Sequence, residues 1–250
     1  MSRSLPDGFK ADLATLEGVD EAVKGVDKVV SCAHARYTDS ILKACEPGTP
    51  IVLTGSTWRF SKVPNPAADE VRAAERLFLA SGHPGVMLHS TMIYGGCQER
   101  NVQRLLSLLK RFPIIPIPGG GRQLVRPIYI DDLVECIFRA VQKVWDAPRV
   151  FAVAGPAITW RDMAAACAQA KGLRTVFVTI PTPPAIALLE FLRLMGVGAP
   201  SPDILRRFSE SAEFSTEEMT WLLGVDARPF EEGIKLSIRS WENPISEQLS

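Results

Sequence analysis

Short apolar runs alternate with amphipathic ones along most of the chain. Val29-Val30-Ser31-Cys32-Ala33 reads as a short buried strand, and Tyr37 to Cys45 as a short helix stopped by Glu46-Pro47-Gly48. Ile51-Val52-Leu53-Thr54 predicts a second strand ending at Gly55, and Ala67 to Ala80 an Ala-rich helix closed by Ser81-Gly82. Val86-Met87-Leu88 predicts a third strand, and Val102 to Leu109 has helical periodicity. Strands and helices in this alternation build a parallel sheet covered on both faces.

The texture changes after Pro113. Ile114-Ile115-Pro116-Ile117-Pro118 runs into Gly119-Gly120-Gly121, a loop that no helix crosses. Ile128-Tyr129-Ile130 predicts a strand, with Asp132 as N-cap of a helix from Leu133 to Val144. Phe151-Ala152-Val153 and Val176-Phe177-Val178 read as strands. Between them Thr159 caps a helix reaching Ala170, with Asp162 three residues on. From Pro181 the pattern is mostly helical, broken at Gly196–Pro200 and Gly224–Pro229. The predicted fold class is α/β: a Rossmann-like parallel sheet in residues 1–156 and a smaller, mainly helical C-terminal lobe in 157–250.

Charge narrows the function classes. Of 250 residues, 28 are Lys or Arg and 28 are Asp or Glu, a zero balance that argues against a general nucleic-acid binder. The most apolar stretch, Pro183 to Ala199, is interrupted by Glu190 and Arg193, so no membrane span is predicted. Its segment Ala185 to Met195 is apolar on more than one face. It reads either as lobe packing or as peripheral docking on a partner or membrane. Cys32, Cys45, Cys97, Cys136 and Cys167 form no CxxC pair, and the start of the chain has no apolar leader core. A reduced, cytoplasmic setting follows. His34, His83 and His89 are scattered, which predicts no metal site, and His89 reads as a satisfied core histidine.

Five segments, from Ala11 on, resemble the NAD(P)-dependent epimerase/dehydratase family, the extended and atypical short-chain dehydrogenases. They are Ala11-Asp12-Leu13, Val29 to Ala33, Leu53-Thr54-Gly55-Ser56-Thr57, Thr91-Met92-Ile93-Tyr94-Gly95 and Ile128 to Leu133. Leu222-Leu223-Gly224-Val225 with Pro229 and Glu231-Glu232-Gly233 adds a weaker match. The resemblance implies an NAD or NADP site at the carboxyl ends of the strands and hydride-transfer chemistry on a nucleotide-sugar or similar small molecule.

Two departures bear on that activity. The family opens with a strand, a GxxGxxG turn and a helix that hold the pyrophosphate. Here the first match, Gly8 to Ala11, is to the family's third strand. An N-terminally shortened sheet is therefore expected, with weak or absent dinucleotide binding, an exposed edge at Val29 to Cys32 and homo-oligomerisation through it. An in-frame strand–GxxGxxG–helix encoded upstream would complete the pattern. The second departure is the family's Tyr-x-x-x-Lys pair. Counting back from Ala73-Ala74-Glu75, the two places hold Ala67 and Val71, neither of which titrates. Lys62 and Arg72 lie nearby, out of register. A catalytically silent structural or regulatory subunit is the alternative to an active enzyme.

The resemblance also assigns site residues. Asp12, Ser31, Cys32, Ala33, Gly55, Ser90 and Thr91 take cofactor positions, and Ser56 that of the catalytic serine. Tyr94, Asn101 and Arg126 fall at or near substrate positions. Each has a plainer reading. Asp12 caps a helix starting near Thr15, Asn101 caps the next long helix, and Ser31 and Ala33 are small packing residues. Ser56 is a strand-end hydroxyl, and Tyr94 a half-buried structural tyrosine. Arg126 sits one residue off register, which turns a strand side chain to the other face.

Overall fold

The computed structural model describes residues 11–96, 99–184, 187 and 210–242. Residues 8–10 of the expected first strand, Cys97 and most of the apolar 185–195 segment lie outside the described residues.

A short helix α1 (Val19–Val23) leads into strand β1 (Val29–Ser31). The helix expected near Thr15 starts later, because Leu16 takes the left-handed region (φ 64°). A single helical turn (Ala35–Tyr37) and α2 (Thr38–Ala44) connect to β2 (Ile51–Ser56). A second turn (Thr57–Phe60) precedes α3 (Pro66–Ala80). Pro66 opens α3, and the Asn65 side chain accepts from the Ala67 N–H at 3.1 Å. That pairing of an Asn cap with a Pro at the first helical position fixes the helix start. Next come β3 (Gly85–Ser90), β4 (Ile93–Tyr94) and α4 (Asn101–Arg111).

Ile114–Pro118 forms strand β5, and Gly119, Gly120 and Gly121 follow it as a tight left-handed turn with φ of 63°, 76° and 68°. β6 (Leu124–Val125) and β7 (Ile128–Tyr129) lead to α5 (Ile130–Gln142). Ile130 is thus the first helical residue rather than the end of a strand. β8 (Pro148–Val153), β9 (Ile158–Thr159) and α6 (Trp160–Ala170) follow. The Thr159 hydroxyl caps α6 by accepting from the Asp162 N–H at 3.0 Å. β10 (Val176–Ile180), α7 (Glu217–Leu223) and α8 (Phe230–Glu242) complete the described chain.

The main sheet has the order β1-β2-β3-β8, and all three pairings are parallel. All six residues of β3 are buried, as a central strand covered on both faces requires. Ile51, Leu53 and Met87 face one way onto Ile41, Val71 and Phe78 of α2 and α3. Val52, Val86 and Leu88 face the other way onto Leu133, Cys136, Met219 and Leu223 of α5 and α7. A third core joins Tyr94, α4, Ile115, Ile117, α6 and α8. β5 pairs with β10 in a separate two-stranded parallel sheet.

Among the described residues β1 pairs only with β2, so it forms one edge of the main sheet, and Val30 on it is exposed. An apolar edge strand with open backbone groups recruits further strands. Val30→Lys is expected to lower self-association of the purified chain. Sedimentation velocity across a concentration series checks this, and an unchanged distribution would mean that another surface drives association.

Candidate functional site

Parallel strands joined by helical crossovers place their carboxyl ends on one edge, where open α/β sheets bind ligands. At that edge the ends of β1, β2 and β3 meet the apolar side of α5 around a cleft of about 470 Å³. Cys32, Ala33, Gly55, Ser56 and Ser90 line it, together with His34 and Thr54. Val71 of α3 and Ile130, Leu133 and Ile137 of α5 supply apolar walls.

The hydroxyls at these strand ends hold the backbone. Ser56 Oγ accepts from the Trp58 N–H at 3.3 Å and so starts the Thr57–Phe60 turn. Ser90 Oγ donates to the Gly55 carbonyl at 3.3 Å, tying β3 to β2. Ser31 Oγ accepts from the Ala33 N–H, and the Ser31 carbonyl accepts from Thr54 Oγ1, both at 3.3 Å. Ser31 therefore shapes the strand end without lining the cleft. Although Cys32 is open to solvent on one side, partial desolvation at the strand end pushes its thiol above its ordinary value, which disfavours the thiolate.

The remaining expected site residues lie elsewhere. Asp12 does not cap a helix; its carboxylate accepts from the Ala14 N–H at 2.8 Å in a tight turn before α1. Thr91 Oγ1 donates to the Arg126 carbonyl, joining the end of β3 to the start of β7. Tyr94 is fully buried in the third core, against the rings of Tyr129 and Phe230 at 5.4 and 4.8 Å. The structure makes it a packing residue rather than a cleft tyrosine. Arg126 points its Nε at the Ala212 carbonyl (3.3 Å) and covers the Phe214 ring. Asn101 is the first residue of α4, not its cap. The Glu99 carboxylate takes that role, accepting from the N–H groups of Asn101, Val102 (2.8 Å) and Gln103 (3.3 Å). The anion-favouring end of this helix is thus filled by the chain itself.

Beside the cleft lies a charged network. His89, on β3 and 1% exposed, meets Glu75 of α3 through Nε2 at 2.9 Å. Arg59, in the turn after β2, donates from Nη2 to Glu75 at 2.6 Å. Burial works to raise the Glu75 pKa, but the hydrogen bonds and charges of His89 and Arg59 outweigh it and hold the carboxyl below its ordinary value. Gly55 makes room for the imidazole, since a Cβ there would stand 2.3 Å from His89 Nδ1. One signal for this network was present in the pattern. Glu75 sits four residues after Val71 and three before Phe78, on the buried stripe of α3, where an unpaired charge is costly.

The places of the family's Tyr and Lys fall on the same helix. Val71 is 3% exposed and forms cleft wall, and Ala67 lies one turn earlier. Arg72 does not replace the lysine. It donates to the carbonyls of Arg59 (3.0 Å) and Ser61, bracing the turn after β2. Lys62 is exposed, and its N–H bonds Glu210 at 2.7 Å.

A nicotinamide dinucleotide has a ring-and-ribose end and a doubly charged diphosphate. The hydroxyls and apolar walls of the cleft fit the first. For the second, no Lys or Arg stands among the lining residues. Diphosphates are held by cations or by the N-terminus of a helix, so the described cleft fits half of the cofactor. Among the described residues no cluster of His, Cys, Asp and Glu could hold a metal ion, and no helix is long and apolar enough to cross a membrane.

Parallel strands, helices on both faces and a cleft at the carboxyl edge define an open α/β fold of the nucleotide-binding type. No protein-family model and no curated protein sequence matches the chain. Solved structures do match it. MoeE5 in complex with UDP-glucuronic acid and NAD aligns over 97% of this chain and 89% of its own, at 20% identity and a TM-score of 0.70. UDP-glucuronic acid 4-epimerase from Bacillus cereus, in complex with NAD, aligns over 96% and 79%, at 14% identity and a TM-score of 0.68. dTDP-glucose 4,6-dehydratase from Bacillus anthracis, in complex with NAD, aligns over 96% and 82%, at 14% identity and a TM-score of 0.68. The chain has the fold of the NAD(P)-dependent epimerases and dehydratases, as its motifs implied.

Proposed function

We propose that this chain is a ligand-binding protein of the epimerase/dehydratase fold that lacks tyrosine–lysine hydride-transfer chemistry. It uses the cleft at the sheet edge to hold a nucleoside-sized moiety, as a structural or regulatory subunit would. The observation that carries this reading is Val71. A buried valine is cleft wall where the resemblance requires a lysine, and Ala67 stands in the place of the tyrosine. Removal of a hydroxyl proton needs a group poised near neutral pH and within hydrogen-bond reach. Of the groups lining the cleft, the Ser56 and Ser90 hydroxyls already hold backbone groups, the Cys32 thiol is pushed up, and the exposed His34 imidazole has its Nδ1 engaged as acceptor by the N–H and Nε of Arg36.

One observation favours a second reading, retained hydride transfer with NAD or NADP on a nucleotide-sugar. Gly55, Ser56 and Ser90, three of the expected site residues, converge on one cleft, and the structural neighbours named above are complexes with NAD, one holding UDP-glucuronic acid as well and two named as nucleotide-sugar enzymes. A turnover assay over a panel of nucleotide-sugars with both cofactors separates the two, with NADH and NADPH titrated in parallel. The expected result is no turnover, no effect of Ser56→Ala, and dinucleotide affinity weaker than micromolar. Robust turnover abolished by Ser56→Ala would establish the second reading.

A further inference from the structure

The two-stranded sheet of β5 and β10 is parallel, and parallel sheets occur almost only with both faces covered. One face is covered. Ile115 and Ile117 are buried in the third core, and Phe177 packs against it. The other face carries Ile114, Pro116 and Pro118 in register with Val176, Val178 and Ile180. Ile114 is 58% exposed, Val176 60% and Val178 44%. Phe112, just before β5, is also exposed.

The charge carried by the two strands and the segments leading into them is one-sided. Both strands start at the same end because they run parallel. Lys110 and Arg111 precede β5 there, and Lys171 and Arg174 precede β10. Residues 101–118 and 171–184, which build the sheet and its approach, contain five Lys or Arg (with Arg104) and no Asp or Glu, in a chain with 28 of each sign. Lys110, Arg111 and Arg174 are exposed, while Lys171 pairs with Glu242 of α8, which also lies near Lys110. The Arg111 guanidinium lies over the Phe112 ring at 5.6 Å, so cationic and apolar groups share one surface.

We propose that this face docks peripherally on a bilayer containing anionic lipid. The apolar side chains of β5 and β10 would enter the boundary between headgroups and acyl chains, with Lys110, Arg111 and Arg174 at the headgroups. Interfacial binding of this kind needs an apolar surface together with adjacent cations, and each cation near an anionic surface strengthens it by about five-fold. An acidic protein partner would complement the cations without calling for a continuous apolar sheet face between them. A second copy would bring its own cations against these.

The test is co-sedimentation of the full chain with vesicles of phosphatidylcholine alone or with phosphatidylserine added, at low and high salt. Binding to the serine-containing vesicles is expected, weaker by at least ten-fold on phosphatidylcholine and weakened by salt. Lys110→Gln with Arg111→Gln should lower it about 25-fold, and Val178→Glu should abolish it. The glutamine pair sits at an exposed helix end, so it remains informative if Val178→Glu fails to fold. No binding to anionic vesicles by a chain that runs as a monomer would overturn the proposal, placing the cover within the chain. A dimer that Val178→Glu dissociates would also overturn it, in favour of a second copy. So would binding to acidic proteins with none to vesicles, or vesicle binding that ignores both the serine lipid and the glutamine pair.

Discussion

Glu75→Ala is expected to cost the fold about 3–5 kcal/mol, the usual loss when one partner of a buried ion pair is removed. His89 would keep its buried place near the end of β3 with neither ring nitrogen partnered, since Nδ1 already has none. Arg59 would lose the anchor that ties the turn after β2 to α3. In a chain of this size the loss lowers Tm by about 6–20 °C. Glu75→Gln keeps one hydrogen-bonding oxygen and should lose less. The effect also has a pH signature. The folded-state pKa of Glu75 is lowered from the ordinary 4.5, so its contribution is fully present above that value and is lost as the pH falls through the lower, folded-state one. Thermal melts of wild type and Glu75→Ala from pH 7 to pH 3 should converge at the acid end. Melts that stay parallel would show that the carboxyl charge is not what stabilises.

Asp132→Ala should have the next largest effect, about 3 kcal/mol, and a local one. Asp132 is buried near the start of α5 and accepts from the Arg228 backbone N–H at 3.0 Å and from its guanidinium at 2.7 and 2.9 Å. The same guanidinium covers the Tyr129 ring at 4.4 Å. This clamp ties the link between α7 and α8 to the sheet side of the molecule. Its loss should speed amide hydrogen exchange in residues 217–242 before the main sheet opens, because the weakest cooperative unit opens first. Uniform acceleration throughout the chain would instead mean that the two parts unfold together.

How much of this was legible in the sequence depends on whether local or distant forces decided each residue. The strands at Val29, Ile51, Val86 and Phe151 and the helices at Ala67, Val102 and Trp160 were readable, because apolar periodicity and local caps dictate them. The convergence of Cys32, Ala33, Gly55, Ser56 and Ser90 followed from topology, since consecutive parallel strands share a carboxyl edge. Misreadings arose where a residue's partner lies far along the chain. Asp132 looks like an N-cap in isolation, yet its partner is Arg228, 96 residues away. Tyr94 reads as a cleft residue from its motif, but α8 closes over it, and a Cβ on Gly233 would stand 2.1 Å from its hydroxyl. The proline alternation of β5 hid a strand whose ladder partner, β10, comes some 60 residues later. Pairing at such separations leaves no periodicity to read.

The cap on α4 sets the terms on which that end of the molecule meets anions. Glu99 is tethered two to four residues from the N–H groups it binds. Its effective concentration there is on the order of millimolar or higher, whatever the solution holds. A phosphate arriving from outside competes with an occupant that never diffuses away and must displace it before gaining a single hydrogen bond. The helix end therefore works as a threshold rather than an open receptor: dilute or weakly held anions are turned away, and only one bound by further contacts elsewhere can swing Glu99 aside.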